Sequence, residues 1–392
     1  MGYTLEDLRA DVPVVRRKVY LNTGTMGAAP QTVTVRFFKA YEQWQVEGSG
    51  WPEAYERRRG GMTAVRGAMA LLLGVPQARI GFAGNVTQTI NWVAQGLRFD
   101  EGDEVIVGAE EHPANRYPWR ALEAMGRIRV IPWPMAQDDE ELLADLRRLI
   151  GARTRLVAVS HVLQTSGRVL PAAAIAELCR SRGVWSLIDG AQALGQVQVD
   201  LAAIDPDFYP FSGHKWLLGP VGTAGIYIRP DKLAKLGLLP AGSGSAAHDL
   251  AGRERADVPW RQEARRFEVG TANWPLFEGL EAALAIRAEI GSATIEQHQC
   301  RLAQAFLEGL PSGPEVVAVP QRAAMCTLRF RQGPEDVLER LAADRVIARR
   351  VGEFEPSGVR FSFGPYNNLD DVAAAHRAIA AHRAIAALTA HV

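Results

Sequence analysis

The chain has 392 residues, 47% of them hydrophobic and 22% charged, with 44 basic and 44 acidic side chains. That length exceeds one small core, and a formal net charge of zero without a polybasic run gives nucleic acid or an anionic membrane no footing. No apolar run approaches the roughly 20 residues of a spanning helix, residues 1–17 lack the apolar segment of a secretory signal, and three scattered cysteines, Cys179, Cys300 and Cys326, fit a reducing cytoplasm and form no metal-binding cluster.

In chain order, Gly84-Asn85-Val86-Thr87-Gln88-Thr89 precedes a helical run at 90–97. Backbone N–H groups at a helix start, with a threonine hydroxyl, bind an anion; Asn or Thr there also serves as a plain cap. A strand is predicted at 104–107, then the loop Glu111-His112-Pro113-Ala114-Asn115 and a helix at 118–125. Next come a strand at 128–131 stopped by Pro132, and a helix at 138–150 with Leu142, Leu143, Leu146 and Leu149 on one face. A strand at 154–160, a helix at 171–182, a strand at 185–188 and another at 222–228 complete the series. This alternation predicts an α/β domain with a largely parallel, buried sheet, whose ligands collect at the carboxyl ends of the strands.

The character changes after Pro230. A small-residue loop at 241–245 and a charged surface stretch lead to a helical run at 275–310, broken near Gly291-Ser292. Strands at 326–330 and 358–363 then alternate with helices at 334–343 and 369–388, which reads as a smaller α+β unit. The sextet at 376–381 recurs at 382–387 as part of an extended alanine-rich helix.

Two runs carry the chemistry. Leu187-Ile188-Asp189-Gly190-Ala191-Gln192 ends a strand, and Phe211-Ser212-Gly213-His214-Lys215-Trp216 follows shortly after. A lysine in apolar surroundings supplies free amine for an imine with an aldehyde cofactor, and an aspartate at a strand end can hold a pyridine nitrogen protonated. Together they meet the needs of pyridoxal phosphate. Ser212 and His214 suit its phosphate, and Gln192 can reach its ring hydroxyl. His112 can stack on the ring and handle protons, or simply bond to backbone. His161 reads as structural, and Gln164 in the same loop as a contact to ring or substrate. Arg360, alone among apolar residues in an alternating strand, suits a bidentate grip on a carboxylate; the competing reading points it to solvent.

Read together, Asp189-x-x-Gln192 and Ser212-x-His214-Lys215 resemble the class V aminotransferase family, from Tyr20-Leu21-Asn22-Thr23-Gly24 to Arg360 and Tyr366-Asn367. The resemblance implies a fold-type I pyridoxal-phosphate enzyme. Its large domain has a mainly parallel seven-stranded sheet, and a small α+β C-terminal domain follows. The divisions would be an N-terminal arm at 1–25 joining the small domain, a large domain at 26–270 that binds the cofactor, and an interdomain helix with the small domain at 271–392. It implies Lys215 as the Schiff-base lysine, Asp189 as the pyridinium partner and His112 as the ring-stacking residue. Val86 and Thr87, with Ser212 and His214, would hold the phosphate. Gly270 and Thr271 would reach the phosphate of a neighbouring subunit in a homodimer with shared sites, and Arg360 would grip the substrate α-carboxylate.

Desulfurases of this family carry a nucleophilic cysteine on the loop before that arginine. Here 345–357 contains none, which argues against a persulfide-forming desulfurase. The branches closest in pattern are C–S lyases and isopenicillin-N-epimerase-like proteins. The favoured expectation is β-elimination on a cysteine- or cystine-like substrate. Transamination, epimerisation and a non-catalytic binding protein stand as alternatives, and Arg349 or Arg350 is a candidate for a second carboxylate.

Overall fold

The computed structural model describes residues 2–48, 50, 52–247, 258–331, 333–352 and 357–389. The chain opens with α1 (Leu5–Asp11), β1 (Val19–Tyr20) and two long helices, α2 (Gln31–Glu47) and α3 (Pro52–Leu73). Strands and helices then alternate through β2 (Ile80–Ala83), α4 (Val86–Gly96), β3 (Glu104–Gly108), α5 (Pro113–Ala124), β4 (Arg129–Trp133), α6 (Asp139–Leu149) and β5 (Thr154–Ser160). They continue through α7 (Ala172–Ser181), β6 (Trp185–Asp189), α8 (Leu201–Ile204), β7 (Phe208–Ser212), β8 (Ala224–Ile228) and α9 (Pro230–Leu233). After α10 (Trp274–Ile290) and α11 (Ser292–Glu308) come β9 (Glu315–Val316), β10 (Met325–Arg329), α12 (Pro334–Ala343), β11 (Val346–Ile347), β12 (Arg349–Val351), β13 (Gly358–Ser362) and α13 (Leu369–Thr389).

Seven strands form one sheet in the order β2-β8-β7-β6-β5-β3-β4. Within it β4, β3, β5, β6 and β7 are parallel neighbours, and β8 runs against both β7 and β2. This is the mainly parallel α/β sheet of the fold-type I class. Side chains alternate across a strand. Ile106, Val157, Val159, Ile188 and Tyr209 accordingly enter one core, and Val105, Val107, Leu156, Ala158 and Leu187 the other. Helices cover both faces, so the central strands read as continuous apolar runs.

Several boundaries differ from expectation, and α4 starts at Val86, four residues before the predicted 90. β4 passes through Pro132 to Trp133, because it is the edge strand and a proline on its open side removes no ladder hydrogen bond. α5 starts at Pro113, five residues early, and contains Pro118. Its first-turn N–H groups have no intrahelical partner, so Pro113 costs nothing there. The helical run after 274 breaks where predicted, at Gly291 with φ 91°.

A second sheet, in the order β12-β13-β10-β9, packs Cys326, Leu328, Val359 and Phe361 against Phe306 of α11, Leu341 of α12 and Val372 of α13. The N-terminal segment is tied to it: β1 pairs in parallel with β11 in a separate two-stranded sheet, and Asn22 bridges to Ser362 of β13. Among the described residues no helix is long and apolar enough to cross a membrane, and no His, Cys, Asp and Glu group is arranged for a metal.

Candidate active site

Asp189 is the last residue of β6, Ser160 of β5 and Ser212 of β7, so three strand ends meet at one rim of the sheet. The Asp189 carboxylate is buried and accepts the Ala191 N–H at 2.8 Å. Burial raises its pKa, against the pull of that hydrogen bond and of Lys215. Lys215 follows β7. Burial brings its amine down to about 8; the charge of Asp189 works against this, while Arg360 and Arg349 add to it. The two groups are both buried, and each charge acts on the other.

The turn carrying Lys215 is held by distant chain. Gly27 N–H donates to His214 O at 2.8 Å, and a Cβ on Gly27 would lie 2.0 Å from the Lys215 carbonyl oxygen. Only glycine allows that approach. Gln192 donates from Nε2 to Gly24 O at 2.7 Å and accepts the Trp216 Nε1–H at Oε1, 2.8 Å. It retains one N–H and one lone pair toward a ligand.

Register builds an anion cradle. Ala83, Ala224 and Ser212 lie side by side across β2, β8 and β7. The N-terminus of α4, with its Val86 and Thr87 N–H groups, therefore starts at the same rim of the sheet as Ser212, two strands away. Asn85 caps the helix by accepting the Gln88 N–H at 2.9 Å, which leaves the Val86 and Thr87 donors without an intrahelical partner. Ser212 Oγ lies 3.3 Å from His214 Nδ1, and burial with the Lys215 charge keeps that imidazole neutral by lowering its pKa. Gly270 and Thr271 are exposed, apart from this cluster. They follow Glu268, which accepts the Phe82 N–H at 2.8 Å and pairs with Arg66 at 2.7 Å.

His112 caps α5, its Nδ1 accepting the Ala114 N–H at 3.0 Å. His161 is structural, as predicted: Nδ1 meets Tyr209 Oη at 2.8 Å, and burial lowers its pKa to about 4. Gln164 is a junction. Its carbonyl oxygen accepts Arg360 Nη1–H at 3.0 Å, and its Oε1 accepts Arg349 Nη1–H at 3.2 Å. Its Nε2 is buried without a partner. Arg360 is fully buried, so the reading that points it to solvent fails. Arg349 stands directly opposite it in the β12–β13 pair, a placement of like charges that favours an anion between them. Arg350 is exposed and pairs with Glu335 at 2.8 Å.

Sequence reasoning missed three contributors. Thr25 Oγ1 accepts Arg360 Nη2–H at 2.9 Å. Gly24 lies against the same guanidinium, where a Cβ would be 3.1 Å from Nη2. Glu111 is buried and bonded to Ser160. The alternation of small residues at 22–27 was the one signal available for the first two.

This donor set fits pyridoxal phosphate. A buried carboxylate with one neutral hydrogen-bond donor suits a pyridinium, the depressed lysine suits the aldehyde, and a helix N-terminus at the same rim as Ser212 suits the phosphate. The comparisons agree. The model of the family described as aminotransferase class-V matches residues 19–374. A probable cysteine desulfurase of Methanothermobacter thermautotrophicus is 32% identical over 76% of this chain and 74% of its own length. One of Pseudomonas aeruginosa is 34% identical, over 75% and 76%. Among solved structures, the cystine C–S lyase C-DES in complex with its reaction product cysteine persulfide superposes with a TM-score of 0.88 at 26% identity, covering 94% of this chain and 99% of that one. The Escherichia coli cysteine desulfurase CsdA gives 0.86 at 25% identity, covering 98% and 100%. The match over nearly the whole length, on a fold whose strand ends gather this donor set, places the chain in the aminotransferase class-V family of pyridoxal-phosphate enzymes.

Proposed function

We propose that this enzyme cleaves a C–S bond by β-elimination from a cysteine- or cystine-like amino acid, releasing pyruvate, ammonia and a thiol or persulfide. When bound, the cofactor supplies an electron sink for charge developing at the substrate Cα. Lys215 anchors it and, once freed by substrate, takes the α-proton on Nζ. Asp189 keeps the ring nitrogen protonated, His112 covers the ring face and Gln192 reaches the ring hydroxyl. Val86, Thr87, Ser212 and His214 hold the phosphate. Arg360, backed by Gln164 and Thr25, grips the α-carboxylate and so turns the Cα–H bond toward Lys215.

The observation that carries the choice of reaction is the state of the thiols. The 345–357 segment has no cysteine. Cys179 and Cys326 are buried with pKa pushed up to about 12, and burial also raises that of Cys300. None is a ready thiolate to take up sulfur. Several relatives are named cysteine desulfurases, so the test must separate products. Purified protein with pyridoxal phosphate is incubated with cysteine and with cystine, and pyruvate, keto acid, D-amino acid and protein-bound persulfide are assayed separately. Pyruvate and ammonia without a keto-acid acceptor are expected. A requirement for such an acceptor would make it a transaminase, D-amino acid an epimerase, and persulfide on a protein cysteine a desulfurase. Lys215→Ala should remove the absorption band at roughly 400–430 nm, and its absence from the wild type would leave a non-catalytic binding protein.

Arg349 fits the distal carboxylate of cystine, because it is half-buried beside Arg360 and its charge acts on Lys215. Arg349→Ala should lower kcat/KM on cystine about tenfold or more and spare cysteine, the value of one charged hydrogen bond; equal losses on both would remove the assignment.

The same reading pairs two copies of the chain. Phe38, Tyr41 and Tyr55 are exposed aromatics on α2 and α3, and the exposed Gly270 and Thr271 would complete the partner's phosphate site. Sedimentation of Phe38→Glu/Tyr41→Glu should fall to monomer mass with weakened cofactor retention.

A further inference from the structure

Near Asp189 lies a second carboxylate that the reaction above does not use. Glu111 is fully buried at the junction of β3 and β5. Its Oε1 accepts the Ser160 N–H at 2.6 Å, and its Oε2 accepts Ser160 Oγ–H at 2.7 Å and Asn115 Nδ2–H at 2.7 Å. Ser160 is the register partner of Asp189, and the next residue, His161, donates its N–H to Asp189 O at 2.9 Å. Asn115 donates its N–H to His112 O at 2.8 Å. One carboxylate therefore ties the turn that carries His112 to the strand end beside Asp189.

Its hydrogen-bond donors are all neutral, and the charge acting on it is the like charge of Asp189. Among the described residues no lysine or arginine forms an ion pair with it, and His112 on its own turn accepts the Ala114 N–H at Nδ1. His161 and Tyr209 are bonded to each other, and Glu110 on the same turn accepts Thr165 Oγ1–H at 2.6 Å. Lys215 lies beyond Asp189 and acts on that carboxylate. A buried carboxylate without a counter-ion is costly. Glutamine would fill the same space with less penalty: Asn115 Oδ1, buried and without a partner, could accept from a glutamine amide once the Asn115 amide turned over. A glutamate where glutamine would be cheaper points to use of its charge.

We propose that Glu111 is a positioning residue of the cofactor site: it fixes His112 relative to Asp189, and its negative charge reinforces Asp189 so that the bound cofactor holds its protons more tightly. In the cofactor-free chain burial raises the Glu111 pKa to about 7. A pyridinium against Asp189 would offset the part of that rise that comes from the Asp189 charge and so favour the ionised form of Glu111.

The test uses two variants reconstituted with pyridoxal phosphate, read by absorbance and circular dichroism of the visible band. That band in the wild type is the control that the lysine carries the cofactor. Glu111→Gln keeps the hydrogen bonds and loses the charge. Its dichroic amplitude should stay near that of wild type, while the pH midpoint of the band moves down by about half a unit or more, the scale of one charge acting through partly polar protein. Glu111→Ala loses both, and its dichroic amplitude should also fall severalfold with the far-ultraviolet spectrum unchanged. If the alanine variant fails to fold, the glutamine variant decides alone. A midpoint in Glu111→Gln that is unmoved, or that moves up, overturns the proposal.

Discussion

Lys215 owes its basicity to its surroundings. Burial and two arginines draw the amine from 10.5 down to about 8, and Asp189 restrains the fall. In the cofactor-free chain roughly one amine in ten is then uncharged at pH 7, against a few in ten thousand for an ordinary lysine. The uncharged form attacks an aldehyde. Uptake of pyridoxal phosphate, followed by stopped-flow absorbance, should therefore quicken about tenfold per pH unit below 8 and level off above it. A rate that kept rising to pH 10 would mean that the lysine titrates as it does in water. Asp189 and Lys215 were legible in sequence because each ends or follows an apolar strand within a short run. Thr25, which bonds Arg360 from 335 residues away, was not, since nothing in a local pattern names a partner across the chain.

Among the elements, the strand series from 154 to 228 could be read from its apolar runs, apart from β7, for which the spacing between Asp189 and Lys215 leaves room but to which the reading gave no bounds. The edge position of β4 could not be read, because sheet order decides whether Pro132 is tolerated and sheet order is a long-range property. Nor were α2 and α3 anticipated: α2 buries only Val33 and Ala40 among many exposed apolar residues, and the helical spacing of Val65, Met69 and Leu73 in α3 was not taken up. The tie between the N-terminal segment and β13 was implied by the family resemblance, as an arm joining the small domain, but no local pattern names its partners. It can be probed at Gly24, where a methyl group would sit 3.0 Å from Ser362 Oγ and 3.1 Å from Arg360 Nη2. Gly24→Ala should displace the guanidinium and raise KM for the amino acid about tenfold, with the visible dichroism of the cofactor unchanged. An unaltered KM would show that Arg360 has room to give.

For the whole molecule, acid exposes a buried histidine. The unfolded His161 ring binds a proton below its ordinary 6.5, whereas the folded ring stays neutral down to about 4. Stability from this residue is therefore complete above 6.5 and lost as pH falls toward 4, by up to about 3 kcal/mol. Glu111 works in the opposite sense: the folded state keeps a proton between 4.5 and about 7 that the unfolded state releases. In cofactor-free protein, the drop in thermal midpoint from pH 7 to pH 5 should be smaller in His161→Gln than in the wild type; equal drops would mean that the ring titrates freely before unfolding.

The segment at 19–27 touches both halves of the catalytic machinery. It is stitched to the sheet that carries Arg360 through Leu21, Asn22 and Thr25, and Gly27 rests on the backbone of Lys215. On the proposed reading, a shift of that sheet as an amino acid docks would reach the lysine through a handful of residues. Gripping the substrate and aiming the base would then be one mechanical act, and shortening or loosening this strap should uncouple them even though no residue in it performs the chemistry.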